Sequence, residues 1–232
     1  MIKSTAGSPD DAPAQAAPSG PRVLREAVIN EARRTLILDA ARSAFLELGL
    51  DGASLREIAK RAGYTPGALY SYFGSREEIY AALLGESLLR LQRRVDDATP
   101  ANSASATDER AVLIALLRAR AKAFFDFYRE HPQDMDLGFY LFNGARPRGL
   151  TPELNQRLNG RLQATLQPIQ DVLVRLGLNE AEAVIETTAI FAHTVGLLML
   201  NNTGRIRLFG QNAQALMARY LDALSARLAS PV

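Results

Sequence analysis

Side chains that could carry out covalent chemistry are few in this 232-residue sequence, and they are not grouped. There is no cysteine, which excludes thiolate nucleophiles and cysteine-based zinc or iron–sulfur sites. The two histidines, His131 and His193, are too few for a His-rich metal site within one chain. Ser54, Ser71 and Ser75 have no histidine or other base near them in the sequence. We therefore expect no enzyme, no metal and no cofactor, and look for binding chemistry instead.

One stretch in the first third of the chain carries helix start and stop signals at close spacing. Ser54 followed by Glu57 is typical of a capping box. Gly63 is typical of a helix end, because glycine enters the left-handed conformation without steric cost. Thr65 and Pro66 predict a second start, since proline at the first helical position loses no hydrogen bond. The pattern predicts two helices joined by a tight turn.

The second of these helices is short, because Ser75 with Glu78 predicts a new helix start soon after Phe73. A helix, a tight glycine-containing turn and a short helix match the helix-turn-helix arrangement. In that arrangement the second helix enters the major groove of DNA with its N-terminal residues nearest the bases. The same capping signals also occur at an ordinary corner of an all-α protein, so they leave both readings open.

From Arg34 to Leu84 the sequence resembles the TetR family of bacterial transcriptional regulators. The matching segments, in chain order, are ILDAARSAF, LGLDGASLREIAKRAG, LYSYF and SREEIY. Two positions depart from the family pattern. Tyr64 stands where a small aliphatic residue is usual, and Arg76 stands where a lysine is usual. The first departure favours either different packing or contact with DNA, and the second keeps the charge.

The resemblance implies which residues contact DNA. The positions that face the groove or touch phosphates in the family correspond here to Ser54, Thr65, Pro66, Gly67, Tyr70, Ser71, Tyr72 and Arg76. Tyrosine hydroxyls can donate to phosphate oxygens, although each tyrosine could instead pack against the first helix. No expected groove residue is Arg, Asn or Gln, so bidentate base contacts are sparse. Apolar contacts, an N-terminal arm or DNA shape are expected to contribute to specificity.

Composition is consistent with a globular protein that acts in the cytoplasm. Hydrophobic residues make up 47% of the chain, and the net charge of +2 is too small to indicate DNA binding by itself. The N-terminus lacks the basic-then-apolar layout of a signal peptide. No segment approaches the roughly 20-residue apolar run of a membrane helix, the longest candidate lying near residues 190–200.

Periodicity predicts an all-α fold, and the resemblance implies an N-terminal three-helix helix-turn-helix DNA-binding domain and a larger C-terminal helical domain for ligand binding and dimerisation. Residues 1–25, rich in Ala, Pro, Ser and Gly at their start, are predicted to form a disordered arm, which is either solvated or in contact with DNA. Residues 26–80 form the predicted helix-turn-helix domain, and residues 81–232 the effector-binding and dimerisation domain. A helix from Ser75 to about Asp96 is expected to link the two domains.

Aromatic residues in the C-terminal domain are candidates for an effector pocket, which the resemblance to the family implies. The candidates are Phe124, Phe127, Tyr128, Tyr140, Phe142, Phe191 and His193. Apolar residues at helical spacing are also what an ordinary core requires, and for His193 a core or interface position is the competing interpretation. The family further implies a homodimer through the last two helices.

Two functions follow. The first is a regulator, most simply a repressor, that binds a palindromic operator as a homodimer and is released by a small, mostly apolar effector. The second is a helix-turn-helix regulator whose C-terminal domain binds another protein and has no small-molecule pocket. The sequence identifies neither the effector nor the operator.

Overall fold

The computed structural model describes residues 20–100, 108–139 and 150–229, which form nine α-helices and one short 3₁₀ helix, with no strand among them. The α-helices are α1 (Pro21–Gly52), α2 (Leu55–Ala62), α3 (Pro66–Tyr70), α4 (Arg76–Asp96), α5 (Glu109–Glu130), α6 (Pro132–Phe139), α7 (Pro152–Arg175), α8 (Glu180–Asn202) and α9 (Ala213–Ala229). The 3₁₀ helix, Arg205–Phe209, connects α8 to α9 and has no counterpart in the sequence interpretation. The predicted all-α fold is confirmed.

Helix α1 begins earlier than the sequence pattern predicts. It starts at Pro21, so residues 21–25, which were assigned to a disordered arm, are helical. Residues 1–19 of that arm lie outside the described residues. Side chains from 23 to 33 are exposed, so this part of the helix is not held by burial against the head. Near its C-terminal end Gly49 adopts a φ of 73°, which interrupts the regular helix.

Helices α1, α2 and α3 form a small head around one set of buried side chains. These are Ile37, Leu38, Ala41, Ala44, Phe45, Ala53, Ile58, Ala59, Leu69 and Phe73. Helix α2 is oriented by its packing against α1 and α3. The five-residue helix α3 is anchored by Leu69, which is completely buried. The short helix is therefore held by packing against the head rather than by its own length.

Helix α4 joins the head to the rest of the chain. It packs against α1 on one side and against α5, α6 and α7 on the other. Tyr80, in its second turn, is 1% exposed, lies edge-on to Phe45 of α1, and donates its hydroxyl to the carbonyl oxygen of Leu137 in α6. Arg90, ten residues later, bonds the buried Asp134 of α6 at 2.6 Å. Two polar bonds thus tie α6 to α4.

Helices α5 to α9 form the body, in which α5 and α7 pack against each other and against neighbouring helices. Helix α7 continues through Pro168, whose carbonyl oxygen accepts a hydrogen bond from Arg120 of α5 at 2.7 Å. Helix α8 packs against α7 and α9. Its start carries a complete capping box between Asn179 and Glu182.

Helix α8 corrects one expectation from the sequence. By length and composition it could cross a membrane, with a mean hydropathy of 1.6 over its best 18-residue window, of which 33% is buried in the chain. Glu186 and His193 interrupt the apolar run but do not lower its average enough. A core helix of a soluble protein passes the same test, and α8 has packing partners in α7 and α9.

Candidate DNA-binding surface and ligand cavity

The turn between α2 and α3 is built by local bonds that the sequence indicates. The Ser54 hydroxyl oxygen accepts the Glu57 N–H at 3.2 Å and caps α2. Gly63 has a φ of 74°, the left-handed conformation that ends α2. The Thr65 hydroxyl oxygen accepts the Ala68 N–H at 3.2 Å and caps α3, with Pro66 at its first position. The turn thereby sets the direction in which α3 projects.

Two predicted capping boxes are only half formed. The Glu57 carboxylate pairs with Arg61 at 2.8 Å rather than returning to the Ser54 N–H. The Glu78 carboxylate accepts the Gly74 N–H at 2.8 Å, while its own N–H bonds the Ser75 hydroxyl oxygen. In both cases the cap oxygen is in place and the reciprocal bond is replaced by a neighbouring one.

Five of the predicted DNA-binding residues form an exposed strip along α3. They are Thr65, Pro66, Gly67, Tyr70 and Ser71. Tyr70 is 57% exposed, so it does not pack against the first helix. A β-carbon placed on Gly67 would meet no atom within 4 Å, which leaves room for close approach by another molecule. The Ser71 hydroxyl donates to the Ala68 carbonyl oxygen at 2.7 Å and so remains able to accept.

The remaining predicted DNA-binding residues surround this strip and are more constrained. Tyr72 is half-buried against Tyr64, with ring centroids 6.4 Å apart, so the unusual Tyr64 serves packing. Arg76 is also half-buried and pairs with Glu77 at 3.1 Å. Ser54 is exposed at the start of α2.

Two arginines of α1 lie beside this surface. Arg33 donates to the Tyr72 hydroxyl at 3.4 Å, and this bond raises the pKa of Arg33. Arg34 stacks over the Phe73 ring, 4.3 Å from its centroid. Helix α1 therefore brings positive charge to the end of α3. No local sequence signal indicates this placement, because Arg33 and Tyr72 are 39 positions apart.

The body contains a cavity of about 350 Å³ between α4, α5, α6, α7 and α8. Its described lining is Leu84, Leu88, Tyr128, Gly138, Phe139, Leu150, Asn155, Leu158, Asn159, Leu162 and Phe191. Tyr128 and Phe191 were among the predicted effector residues. The others come from helices whose apolar faces look like ordinary core in the sequence.

The other predicted effector residues take different positions. Phe124 is fully buried behind the cavity and contacts the rings of Tyr128 and Phe191 edge-on at 5.5 and 5.9 Å. Phe127 packs against Tyr128 and His131 and does not line the cavity. Tyr140 and Phe142 lie outside the described residues.

His193 lies away from the cavity, on the side of α8 that meets α9. Its ring stacks on Tyr220 with centroids 4.1 Å apart, and its Nε2 atom is buried with no hydrogen-bond partner in the described part of the chain. Burial lowers the pKa of His193. The Tyr220 hydroxyl donates to Glu186, which also pairs with Arg227 at 3.1 Å. His193 thus packs within the chain, between α8 and α9, and is not among the described residues that line the cavity.

A larger groove, of about 640 Å³, lies on the face of α5 opposite Tyr128. Its floor includes Ala115, Ala119 and Ala123, and α9 forms one wall. The two lysine and arginine side chains that α5 contributes are paired with carboxylates, Arg118 with Asp222 and Lys122 with Asp126. The charges that α5 brings to the groove are therefore neutralised within the chain.

Two family models match the chain. The model for bacterial regulatory proteins of the tetR family matches residues 37–83, and that for the tetracyclin repressor-like C-terminal domain matches residues 117–224. The first match covers the head, and the second covers most of the body.

Curated relatives are helix-turn-helix regulators. The uncharacterised regulator YdgC of Bacillus subtilis is 29% identical over 157 residues, 67% of this chain and 73% of that protein. The transcriptional activator FasR of Mycolicibacterium smegmatis is 36% identical over 107 residues, 46% of this chain and 45% of its own length. The transcriptional repressor AcnR of Corynebacterium efficiens is 34% identical over 64 residues, 28% of this chain and 34% of that protein. The chain thus spans less than half of FasR and of AcnR.

Solved structures share the fold over nearly their whole length. The regulatory protein SCO4313 matches with a TM-score of 0.65 and 22% identity, covering 89% of this chain and 98% of that one. The transcriptional regulator FadR of Bacillus subtilis, solved with stearoyl-CoA, matches with a TM-score of 0.58 and 20% identity, covering 82% and 97%. The N-terminal and the C-terminal model of the family both match, one after the other along the chain, and this protein therefore belongs to the TetR family of bacterial transcriptional regulators.

Proposed function

We propose that this protein binds a palindromic operator as a homodimer and is released from it by a small, mostly apolar effector. The observation that carries the proposal is the exposed strip on α3, whose residues have few contacts within the chain although the helix itself is anchored by Leu69. The head comprises residues 26–80 in this proposal, preceded by an arm that now includes the first turn of α1, and the body comprises residues 81–232.

DNA binding would place α3 in the major groove. The proposed contacts are those of Ser54, Thr65, Pro66, Gly67, Tyr70, Ser71, Tyr72 and Arg76. Gly67 permits close approach, and Tyr70 is exposed enough to donate to a phosphate oxygen. Arg33 adds a positive charge beside Tyr72, and phosphate neutralisation makes such binding depend on salt.

A homodimer would form through α8 and α9. The exposed face of α8 is uncharged from Val184 to Leu200 and includes Ile185, which is 68% exposed, and Met199, which is 48% exposed. Ala192 and Gly196 lie at the middle of this face and allow another helix to come close. Exposed apolar surface of this extent favours a protein partner. A second copy of the chain, paired about a two-fold axis, also provides the two heads that a palindromic operator requires.

The ligand-responsive part of the proposal is supported by the cavity of about 350 Å³, which is within the size range of small-molecule sites. This cavity favours the small-molecule function over the alternative of a body that binds only another protein. Curated relatives include both an activator and a repressor. We propose repression, exerted in the cytoplasm, with release caused by tighter binding of the effector to the form that does not hold DNA.

Selection of an operator from random DNA, followed by gel-shift titration at fixed salt, tests the proposal. The Tyr70→Ala variant is expected to bind the selected operator at least tenfold more weakly with unchanged helical content. Phe209→Ala serves as the control, since Phe209 is 72% exposed but lies in the 3₁₀ helix of the body. Equal affinities of Tyr70→Ala and the wild type would contradict the proposed surface.

Sedimentation analysis tests the dimer separately. The Ala192→Glu variant, which puts a charge at the middle of the α8 face, is expected to sediment as a monomer while keeping its circular dichroism spectrum. A wild-type protein that sediments as a monomer, or a variant that remains dimeric, would show that the two copies meet elsewhere or not at all.

A further inference from the structure

The chemistry of the cavity lining restricts which ligands fit. Its described residues include no charged side chain, and its walls are mainly apolar, with Leu84 and Leu88 on α4 opposite Leu158 and Leu162 on α7. The polar side-chain groups in the described lining are the Tyr128 hydroxyl and the amides of Asn155 and Asn159. Binding in such a cavity depends on these few groups for orientation and selectivity.

Tyr128 is held rigidly with its hydroxyl unpaired. The residue is 3% exposed, and its ring is packed edge-on against Phe124 and Phe127 at 5.5 and 5.4 Å. Within the described residues its hydroxyl makes no hydrogen bond, whereas the similarly buried Tyr80 donates to Leu137. The oxygen is not among the fully buried side-chain atoms that lack a partner, so it is accessible from the cavity, and a ligand acceptor can take the hydrogen bond that the described residues leave open. The Tyr128 hydroxyl is therefore positioned to form a hydrogen bond with a polar atom of a ligand.

The electrostatic surroundings decide what this polar atom is. Burial raises the pKa of Tyr128, and the nearby charge of Asp134 raises it further, so the hydroxyl keeps its proton and acts as a donor. Asp134 is 4% exposed and bonds Arg90. No described lining residue carries a positive charge that could balance an ionised ligand group, and the Asp134 carboxylate, although paired with Arg90, adds no attraction for an anion at the Tyr128 hydroxyl. The matching group is an uncharged acceptor.

The two asparagines provide a second polar position. Asn155 and Asn159 lie one turn apart on α7, the first half-buried and the second exposed. Their side-chain amides have no hydrogen-bond partner among the described residues. Each amide offers both a donor and an acceptor, so this side of the cavity tolerates a second uncharged polar group. Neither amide supplies a charge that would balance an ionised ligand.

We propose that the cavity binds an uncharged, mainly apolar molecule whose carbonyl oxygen accepts a hydrogen bond from the Tyr128 hydroxyl. The proposed ligand class rests on the proposed ligand-responsive function and names the chemical class of the effector. An ester, ketone or thioester of a medium-length hydrocarbon satisfies these requirements. The corresponding free carboxylate does not.

Titration calorimetry with methyl octanoate and octanoate tests this specificity. Wild-type protein is expected to bind the ester at least tenfold more tightly than the carboxylate. Tyr128→Phe, which removes only the hydroxyl, is expected to weaken ester binding about tenfold and to leave carboxylate binding unchanged. Tyr220→Phe is the matched control, because its hydroxyl bonds Glu186 outside the cavity, and it should bind both probes as the wild type does. Asn159→Trp, which fills the exposed side of the cavity, should weaken ester binding.

Three results would overturn the inference: octanoate binding as tightly as the ester, equal ester affinity of Tyr128→Phe and the wild type, or no ester binding to the wild type. Operator affinity measured with each probe separates this inference from the proposed function. Tyr128-dependent ester binding that leaves operator affinity unchanged refutes effector release but upholds the ligand class. Release by octanoate alone refutes the ligand class and upholds effector release.

Discussion

Replacing tyrosine by phenylalanine at two buried positions gives a direct measure of what each hydroxyl contributes. Tyr80 and Tyr128 are 1% and 3% exposed, and in both cases the substitution removes a single oxygen without opening a large cavity. They differ in hydrogen bonding, because Tyr80 donates to the Leu137 carbonyl oxygen and Tyr128 donates to no described group. Leu137 lies in the last turn of α6, where carbonyl groups have no partner within the helix.

Tyr80→Phe is therefore expected to lower the free energy of unfolding by about 1–3 kcal/mol, which combines a lost hydrogen bond with an unpaired carbonyl. For a chain of this size that loss corresponds to a decrease in Tm of roughly 2–4 °C per kcal/mol. Tyr128→Phe is expected to change the free energy of unfolding by less than about 0.5 kcal/mol, since the hydroxyl that it removes bonds no described group and faces the cavity.

Urea unfolding followed by circular dichroism, at one protein concentration for all variants, is the appropriate assay because dimer formation makes stability depend on concentration. Unfolding in the absence of any added ligand keeps the two sites comparable. Equal losses at the two positions, or a larger loss at Tyr128 than at Tyr80, would refute the assignment of the bonded and the unbonded hydroxyl.

Three further predictions concern the head and the body. Gly63→Ala should destabilise the protein by about 1–2 kcal/mol because the φ of 74° at this position is left-handed, and a thermal melt equal to that of the wild type would contradict this. Gly67→Ala, in open space, should melt like the wild type but bind operator DNA more weakly in gel shifts. Thr65→Ala should cost about 1 kcal/mol in urea unfolding through loss of the α3 cap, and a cost near zero would show that the cap is dispensable. His193 has a lowered pKa, so as the pH falls through about 6.5 the unfolded chain takes up a proton that the folded chain resists, and stability decreases. His193→Phe should flatten this decrease in urea unfolding, and an unchanged pH profile would count against it.

Local signals predicted the head well. Ser54, Gly63 and Thr65 act through bonds to residues at most four positions away, so their roles can be read from the sequence. The reciprocal bonds of Glu57 and Glu78 could not be predicted in this way, because each carboxylate had an alternative partner four positions away in the sequence. The resemblance to the family contributed the roles of the α3 residues, which remain predictions.

Features that depend on the meeting of distant helices were missed. The early start of α1 was missed because the arm was assigned from the Ala-, Pro-, Ser- and Gly-rich composition that precedes it, although no helix breaker lies between Pro21 and Gly49. No cavity wall was predicted on α4 or α7, since a leucine facing a cavity and a leucine facing another side chain have the same spacing. The placement of His193 against Tyr220 likewise depends on packing between helices.

Two of the helices that line the cavity, α4 and α7, differ in their connection to the head. Leu84 and Leu88 belong to α4, one and two turns after Tyr80, which contacts the head through Phe45. Asn155 and Leu158 belong to α7, for which no head contact is prominent among the described residues. Under the proposed function, substitutions on α7 would change which molecule the cavity holds, while the connection from the cavity to the head through α4 would keep its side chains.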